Sequence, residues 1–107
     1  MVVNMKKVSA IDFTKAMADE TRQKIMEACC CQWCSVNELA ETVGKSQPTV
    51  SHHLAVLCEV GLLDVRPEGK QTFYTLNQNR MVTCCGELML VFAPEAEATA
   101  AVKKALP

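Results

Sequence analysis

Aromatic residues are scarce, five in 107, so the chain's core must be aliphatic, with methionine and cysteine filling gaps. There is no excess of basic charge: 11 Lys and Arg against 12 Asp and Glu give a formal net charge of −1. That excludes a globally basic nucleic-acid binder. Any such binding must come from a local patch, doubled by symmetry if two subunits act together. No run approaches the roughly 18 apolar residues of a membrane span. The N-terminal MVVNMKKVSAIDF has two lysines but no apolar stretch long enough for a secretory leader. A cytoplasmic protein is expected. There is no internal repeat, low-complexity tract or linker, so residues 1–107 are read as one domain with a modest core. A domain this small often gains stability by dimerising.

Cysteine is abundant by contrast, with seven residues. An odd count in a reducing compartment argues against a disulfide framework. Each thiol is then either an inert core residue or a chemically active group.

Periodicity predicts a first helix over roughly Ser9–Met17, with Ile11, Phe13 and Met17 apolar. Asp19 is placed to cap a second helix ending near Ala28–Cys30. Ser35-Val36-Asn37-Glu38 has the spacing of a capping box and opens a short third helix containing Leu39 and Val43. Gly44 is suited to end it in a left-handed conformation. A fourth helix starts near Ser46, with Pro48 tolerated in its first turn. Val50, Leu54 and Leu57 share one buried face, and Gly61 ends the helix. Leu62–Pro67 and Lys70–Leu76 read as strands joined by a tight turn at Glu68-Gly69. Asn77 caps a fifth helix from about Gln78 to Phe92, and Pro94 opens a final Ala-rich helix. The order defines a mainly α fold with a β-hairpin wing, a winged helix-turn-helix. Helices at both ends are available for a homodimer.

A recognition helix presents its N-terminal residues to base edges in the major groove. Ser46, Gln47, Thr49, Ser51 and His52 are hydrogen-bonding groups, and no acidic residue lies between Ser46 and Cys58. Gln pairs bidentately with adenine, and Ser or Thr bonds bases or phosphates. Lys45 precedes the helix. Arg66 and Lys70 flank the wing turn, within reach of phosphate or the minor groove. His52-His53 resembles a metal pair only superficially, because adjacent helical residues point about 100° apart. Both are assigned DNA-facing and structural roles. A merely polar helix face is the plain alternative, and the wing that follows argues against it.

Across about Ala16 to Phe92 the chain resembles the ArsR/SmtB family of metal- and metalloid-responsive repressors. The matching residues are Ala18-Asp19-Glu20-Thr21-Arg22, Ser46-Gln47, Ser51-x-His53-Leu54 with Leu57, Gly61-Leu62-Leu63, Gly69 in the wing turn and Tyr74-x-Leu76. The resemblance implies a homodimer whose outer helices form the interface. It also implies binding to a palindromic operator and release when ligand arrives.

The family places effector sites at different positions, so each thiol is read where it stands. Cys84-Cys85 falls in the second turn of the fifth helix and is expected to be partly exposed. Arg80, four residues earlier, and the nearby helix N-terminus are expected to favour thiolate. A vicinal pair suits a soft centre such as trivalent arsenic or antimony. The string CCGELMLVFAPE resembles the pair-containing segment of one arsenic-responsive branch, which implies binding of inorganic or methylated arsenicals. Inorganic trivalent arsenic takes three thiolates and a monomethyl arsenical two. No cysteine follows Cys85, so a third sulfur must come from the Cys29–Cys34 cluster or from a second subunit. Small apolar packing at a helix interface is the alternative reading of this pair.

In the cluster, Cys30, Cys31 and Cys34 are secondary ligand candidates. Cys31-x-x-Cys34 also fits a zinc half-site or a redox pair, and Trp33 is placed to stack over the sulfurs. The Cys-x-Cys site of another family branch falls on Ser35 and Asn37 and is absent. The family's interfacial zinc site needs His on the fifth helix, where there is none. Cys58 is read as a half-buried core thiol.

The sequence thus predicts a non-enzymatic repressor that binds double-stranded operator DNA when unliganded. Trivalent arsenic or antimony species, methylated arsenicals included, are the expected inducers, with no organic cofactor and no membrane partner. The rivals are a redox or persulfide sensor, a soft-metal sensor for cadmium, lead or copper(I) using Cys29–Cys34, and a small thiol enzyme.

Overall fold

A computed structural model describes residues 9–106. Met1–Val8, which carry most of the leader reading, and Pro107 lie outside the described residues. Six helices and three strands follow in the order α1 (Ala10–Met17), α2 (Glu20–Ala28), β1 (Cys34–Ser35), α3 (Val36–Val43), α4 (Gln47–Glu59), β2 (Leu63–Glu68), β3 (Gln71–Leu76), α5 (Gln78–Phe92) and α6 (Glu97–Ala105).

Side-chain caps begin five of the helices. Ser9, Asp19, Ser35, Ser46 and Asn77 each accept a hydrogen bond from the backbone N–H three residues on. The capping box at α3 is complete, because Glu38 also accepts from the Ser35 N–H at 2.9 Å. Those bonds hold the Glu38 carboxyl below its ordinary range, the Ser35 backbone N–H contributing most. Gly44 closes α3 with φ +68°.

The core gathers Phe13 and Ala16 of α1, Ile25 and Met26 of α2, Leu39 of α3, Val50, Leu54 and Leu57 of α4, then Leu62 and Leu63. Ile25, Leu39, Val50, Leu57 and Leu62 are fully buried, as the apolar spacing requires. The motif Ala18-Asp19-Glu20-Thr21-Arg22 has a structural cause. Asp19 caps α2, while Arg22 donates to the carbonyls of Ala16 (2.7 Å) and Lys15 (3.0 Å) at the end of α1. The same guanidinium donates to Nδ1 of His53 on α4 at 3.1 Å. One arginine thereby ties α1, α2 and α4 together.

The expected hairpin wing forms from β2 and β3, and β1 adds a third strand, giving an antiparallel sheet in the order β1-β3-β2. Cys34 and Ser35 pair with Tyr74 and Phe73. Two residues are too few to show an alternating pattern. The wing turn also shifts by one residue: Glu68 pairs with Gln71, leaving Gly69-Lys70 as the loop. Gly69 has φ +64°, as a Gly-first hairpin turn needs. α6 begins at Glu97 rather than at Pro94. The Ala96 N–H bonds back to the Ala93 carbonyl, making Pro94-Glu95 the centre of a turn, and buried Thr99 donates to the same carbonyl at 2.6 Å. No helix among the described residues is long and apolar enough to cross a membrane.

Candidate nucleic-acid interface and thiol groups

The N-terminus of α4 is open to solvent. Lys45, Ser46, Gln47, Thr49, Ser51 and His52 are all exposed, while Val50, Leu54 and Leu57 point inward. Ser46 is partly committed locally, since its hydroxyl accepts the Thr49 N–H and donates to Thr49 Oγ1 at 2.9 Å. His53 differs from its neighbour. It is half-buried, and because guanidinium only donates, its Nδ1 must accept from Arg22, leaving its N–H on Nε2. It braces the reading helix, so its structural role is the one the geometry supports.

Two grooves run from this surface. One, about 280 Å³, is lined by Asn37 of α3, Gln47 of α4 and Lys70, Gln71 and Thr72 of the wing. The other contains Asn37, Lys45 and Gln47 beside Glu41. Gln47 therefore stands where helix and wing surfaces meet. Sequence reasoning missed Asn37, Gln71 and Thr72, because only the fold brings the start of α3 beside the wing. Arg66 is held in place by two partners: its guanidinium lies 4.4 Å over the Trp33 ring, and its Nε is 3.4 Å from Glu68. Trp33 is thus stacked by Arg66, not over the cysteine sulfurs.

The thiols divide by environment. All seven are free. Cys84 is only 5% exposed, contrary to the expectation of a partly exposed pair, and Cys85 is half-buried with its Sγ 3.7 Å from Met81 Sδ. Burial pushes the Cys84 thiol up, and the nearby Arg80 guanidinium only partly opposes this. The expected thiolate at Cys84 is therefore corrected, because desolvation outweighs one nearby cation. Arg80 is itself buried, and its Nε donates to the Val60 carbonyl at the end of α4 at 3.2 Å.

Cys29–Cys34 is no single cluster. Cys29 is buried between α2 and β3. Its carbonyl accepts from the Leu76 N–H and Thr75 Oγ1, and burial pushes its thiol up to about 11. Cys34 is buried and donates to the Ala28 carbonyl. Cys30 and Cys31 are exposed, with sulfurs 3.6 Å apart, and that mutual hydrogen bond pushes the Cys30 thiol up. Among the described residues no three His, Cys, Asp or Glu side chains converge to hold a metal ion. Of the three secondary candidates, Cys30 and Cys31 lie together at the surface while Cys34 lies apart from them in the interior. Cys34 is drawn inward by the β1 pairing that the sequence did not reveal. Cys58 is half-buried, as read from the sequence, and burial raises its thiol.

A capped helical core, an exposed polar reading helix and a β-wing form the winged helix-turn-helix fold found in DNA-binding regulators. The family model for bacterial regulatory proteins of the arsR family matches residues 19–65. The transcriptional activator HlyU of Vibrio cholerae is 38% identical over 72 residues, spanning 67% of each chain. KmtR, an HTH-type transcriptional regulator of Mycobacterium tuberculosis, is 38% identical over 71 residues, 66% of this chain and 55% of that protein. The chain thus spans little more than half of KmtR. Reduced HlyU from Vibrio cholerae superposes with a TM-score of 0.63 at 35% identity, covering 76% of this chain and 84% of that one. A homodimeric winged helix-turn-helix domain from Mycobacterium bovis, a possible ArsR-family regulator, gives 0.63 at 25% identity over 81% and 80%. The chain belongs to the ArsR family of bacterial regulatory proteins.

Proposed function

We propose that this regulator is a homodimeric repressor, with one winged-helix unit per chain. It binds operator DNA unliganded and releases it when trivalent arsenic or antimony engages Cys84 and Cys85. Lys45, Ser46, Gln47, Thr49, Ser51 and His52 read the DNA, with Arg66 and Lys70 on flanking phosphate and His53 bracing the helix. A reducing cytoplasm keeps the thiols available. The dimer is supported by exposed apolar side chains on α1 and α5, namely Ile11 (65% exposed), Val82 (56%), Val91 (65%) and Phe92 (78%). It is also supported by the homodimeric relative from Mycobacterium bovis.

The observation that carries the arsenic response is the path Cys84–Arg80–Val60. Cys84 lies one helical turn beyond Arg80, and Arg80 holds the carbonyl of Val60, the residue that caps the C-terminus of the reading helix. A thiophilic ligand needs Cys84 accessible and able to give up its proton, whereas the structure buries it and that burial pushes its thiol up. Ligand therefore binds best to a state in which α5 has moved, and that movement reaches α4 through Arg80. A hundredfold loss of operator affinity requires about 2.7 kcal/mol of such coupling.

The test is fluorescence anisotropy of reduced protein on its own upstream DNA, titrated with arsenite and with monomethyl trivalent arsenic. Wild type and Cys84→Ser/Cys85→Ser are compared. Release by wild type alone supports the assignment, and the relative potency of the two arsenicals reports two or three sulfurs. A double variant that still responds sinks it. A reporter gene driven from the same DNA checks that the regulator represses, since relatives include a named activator.

A further inference from the structure

Cys30 and Cys31 form a second thiol pair that the proposed response does not use. Their sulfurs lie 3.6 Å apart on the surface. One atom bonded to both sulfurs needs them within about two bond lengths of each other, and a separation of 3.6 Å already meets that, so little movement is needed to bridge them. The backbone here is unusual. Cys31 has φ +70°, the only positive φ outside glycine among the described residues. A glycine would adopt it freely, and a side chain retained there costs roughly 1–2 kcal/mol. The Gln78 side-chain amide, at the start of α5, donates to Cys31 Sγ at 3.4 Å and fixes that sulfur.

Cys30 also lines an apolar cleft of about 300 Å³ with Met17, Met26, Leu76 and Met81, and with Gln23 and Glu27 at its polar edge. The cleft is largely open to solvent and offers an apolar wall against which a phenyl-sized group can lie. Arsenic in the trivalent state has three valences. Two adjacent sulfurs satisfy two of them, and the third then points an organic group away from the loop.

We propose that Cys30 and Cys31 bind a mono-organic trivalent arsenical whose apolar, preferably aromatic, substituent occupies the Met17–Met26–Leu76–Met81 cleft. In the reaction, an organoarsine oxide loses its oxygen as one water. Both thiol protons go to that water, and two As–S bonds replace the As–O bonding. Arsenic stays trivalent and no oxidant takes part. The pocket selects by the size and polarity of the carbon substituent.

The test uses the reduced full chain without DNA. Phenylarsine oxide and monomethyl trivalent arsenic are titrated separately, followed by brief alkylation and peptide mapping of which cysteines escape. Each half-protection concentration is normalised to the compound's affinity for dithiothreitol. The expected result is joint protection of Cys30 and Cys31. After normalisation the phenyl compound should be favoured about tenfold or more, the lower end of what burying an aromatic side chain yields. Met17→Glu should abolish that preference and Met17→Leu should keep it, with thermal unfolding confirming that both fold. Equal potency of phenyl and methyl compounds, or alkylation of Cys30 and Cys31 at the unprotected rate, overturns the proposal. The readout is thiol protection at this loop and not DNA release, so it stands or falls separately from the α5 response.

Discussion

Arg80 Nε donates to the backbone carbonyl of Val60 across 3.2 Å, linking the first turn of α5 to the end of the reading helix. Gly61 makes the approach possible. A Cβ there would meet Arg80 Nε at 3.0 Å, and its φ of +77° already favours glycine. Gly61 thus serves both as the helix stop and as the gap that admits an arginine.

Replacing Arg80 by Met keeps the apolar stem and removes the donor. The expected loss is about 1–3 kcal/mol of stability, the usual result of leaving a buried acceptor without its partner. Denaturant unfolding measures it. In anisotropy titrations the same variant should still bind operator DNA while its inducer-dependent fold-change narrows. An unchanged fold-change means that the signal bypasses Arg80.

Stability should fall in alkaline solution. Cys29 is fully buried, and desolvation, helped by neighbouring Cys34, lifts its thiol from an ordinary 9.0 to about 11. Between those values the unfolded chain has lost the proton that the folded chain keeps, so ∂ΔG/∂pH is negative. The stabilisation is complete below about pH 9 and lost as pH approaches 11, an effect on the order of 2 kcal/mol. Burial raises Cys34, Cys58 and Cys84 in the same direction. Reduced protein unfolded in denaturant at pH 8 and pH 10.5 checks this, and Cys29→Ala should flatten the slope.

The helices and the reading surface were legible because their signals are local. Ser35 and Glu38 announce a capping box by spacing alone, and Val50, Leu54 and Leu57 mark a buried stripe. What escaped was set by distant partners. β1 exists only because Cys34 and Ser35 meet Tyr74 and Phe73 some forty residues on. That pairing removes Cys34 from its neighbours Cys30 and Cys31. Trp33 meets Arg66 for a similar reason, the wing folding back over the loop. Cys84 looked accessible because a helix position four residues after an arginine suggests a charged face, yet Arg80 turns inward.

Cys31→Gly tests the strained loop directly. Relief of the left-handed conformation gains roughly 1–2 kcal/mol. Added freedom in the unfolded chain returns about 0.4–1 kcal/mol of it. The net expectation is stability unchanged or raised by up to about 1.6 kcal/mol, whereas Cys31→Val, β-branched, should be destabilised. Thermal or denaturant unfolding under reducing conditions decides. A destabilised glycine variant means that the side chain, through its contacts with Cys30 and Gln78, contributes more than the backbone costs.

Gly86 is where α6 closes on α5. A Cβ there would stand 2.8 Å from Leu106 Cδ1 and 2.9 Å from Val102 Cγ1, both too close. Against this, replacing a mid-helix glycine by alanine gains up to about 1 kcal/mol of helix propensity. Both clashing groups belong to the final helix or its cap and none to the core, so α6 can yield without disturbing α1–α5. Gly86→Ala should therefore leave global unfolding within about 1 kcal/mol of wild type. Amide exchange across Glu97–Ala105 should quicken severalfold while exchange in α4 stays unchanged. If α4 amides quicken as well, α6 supports the reading helix and is not merely docked on α5.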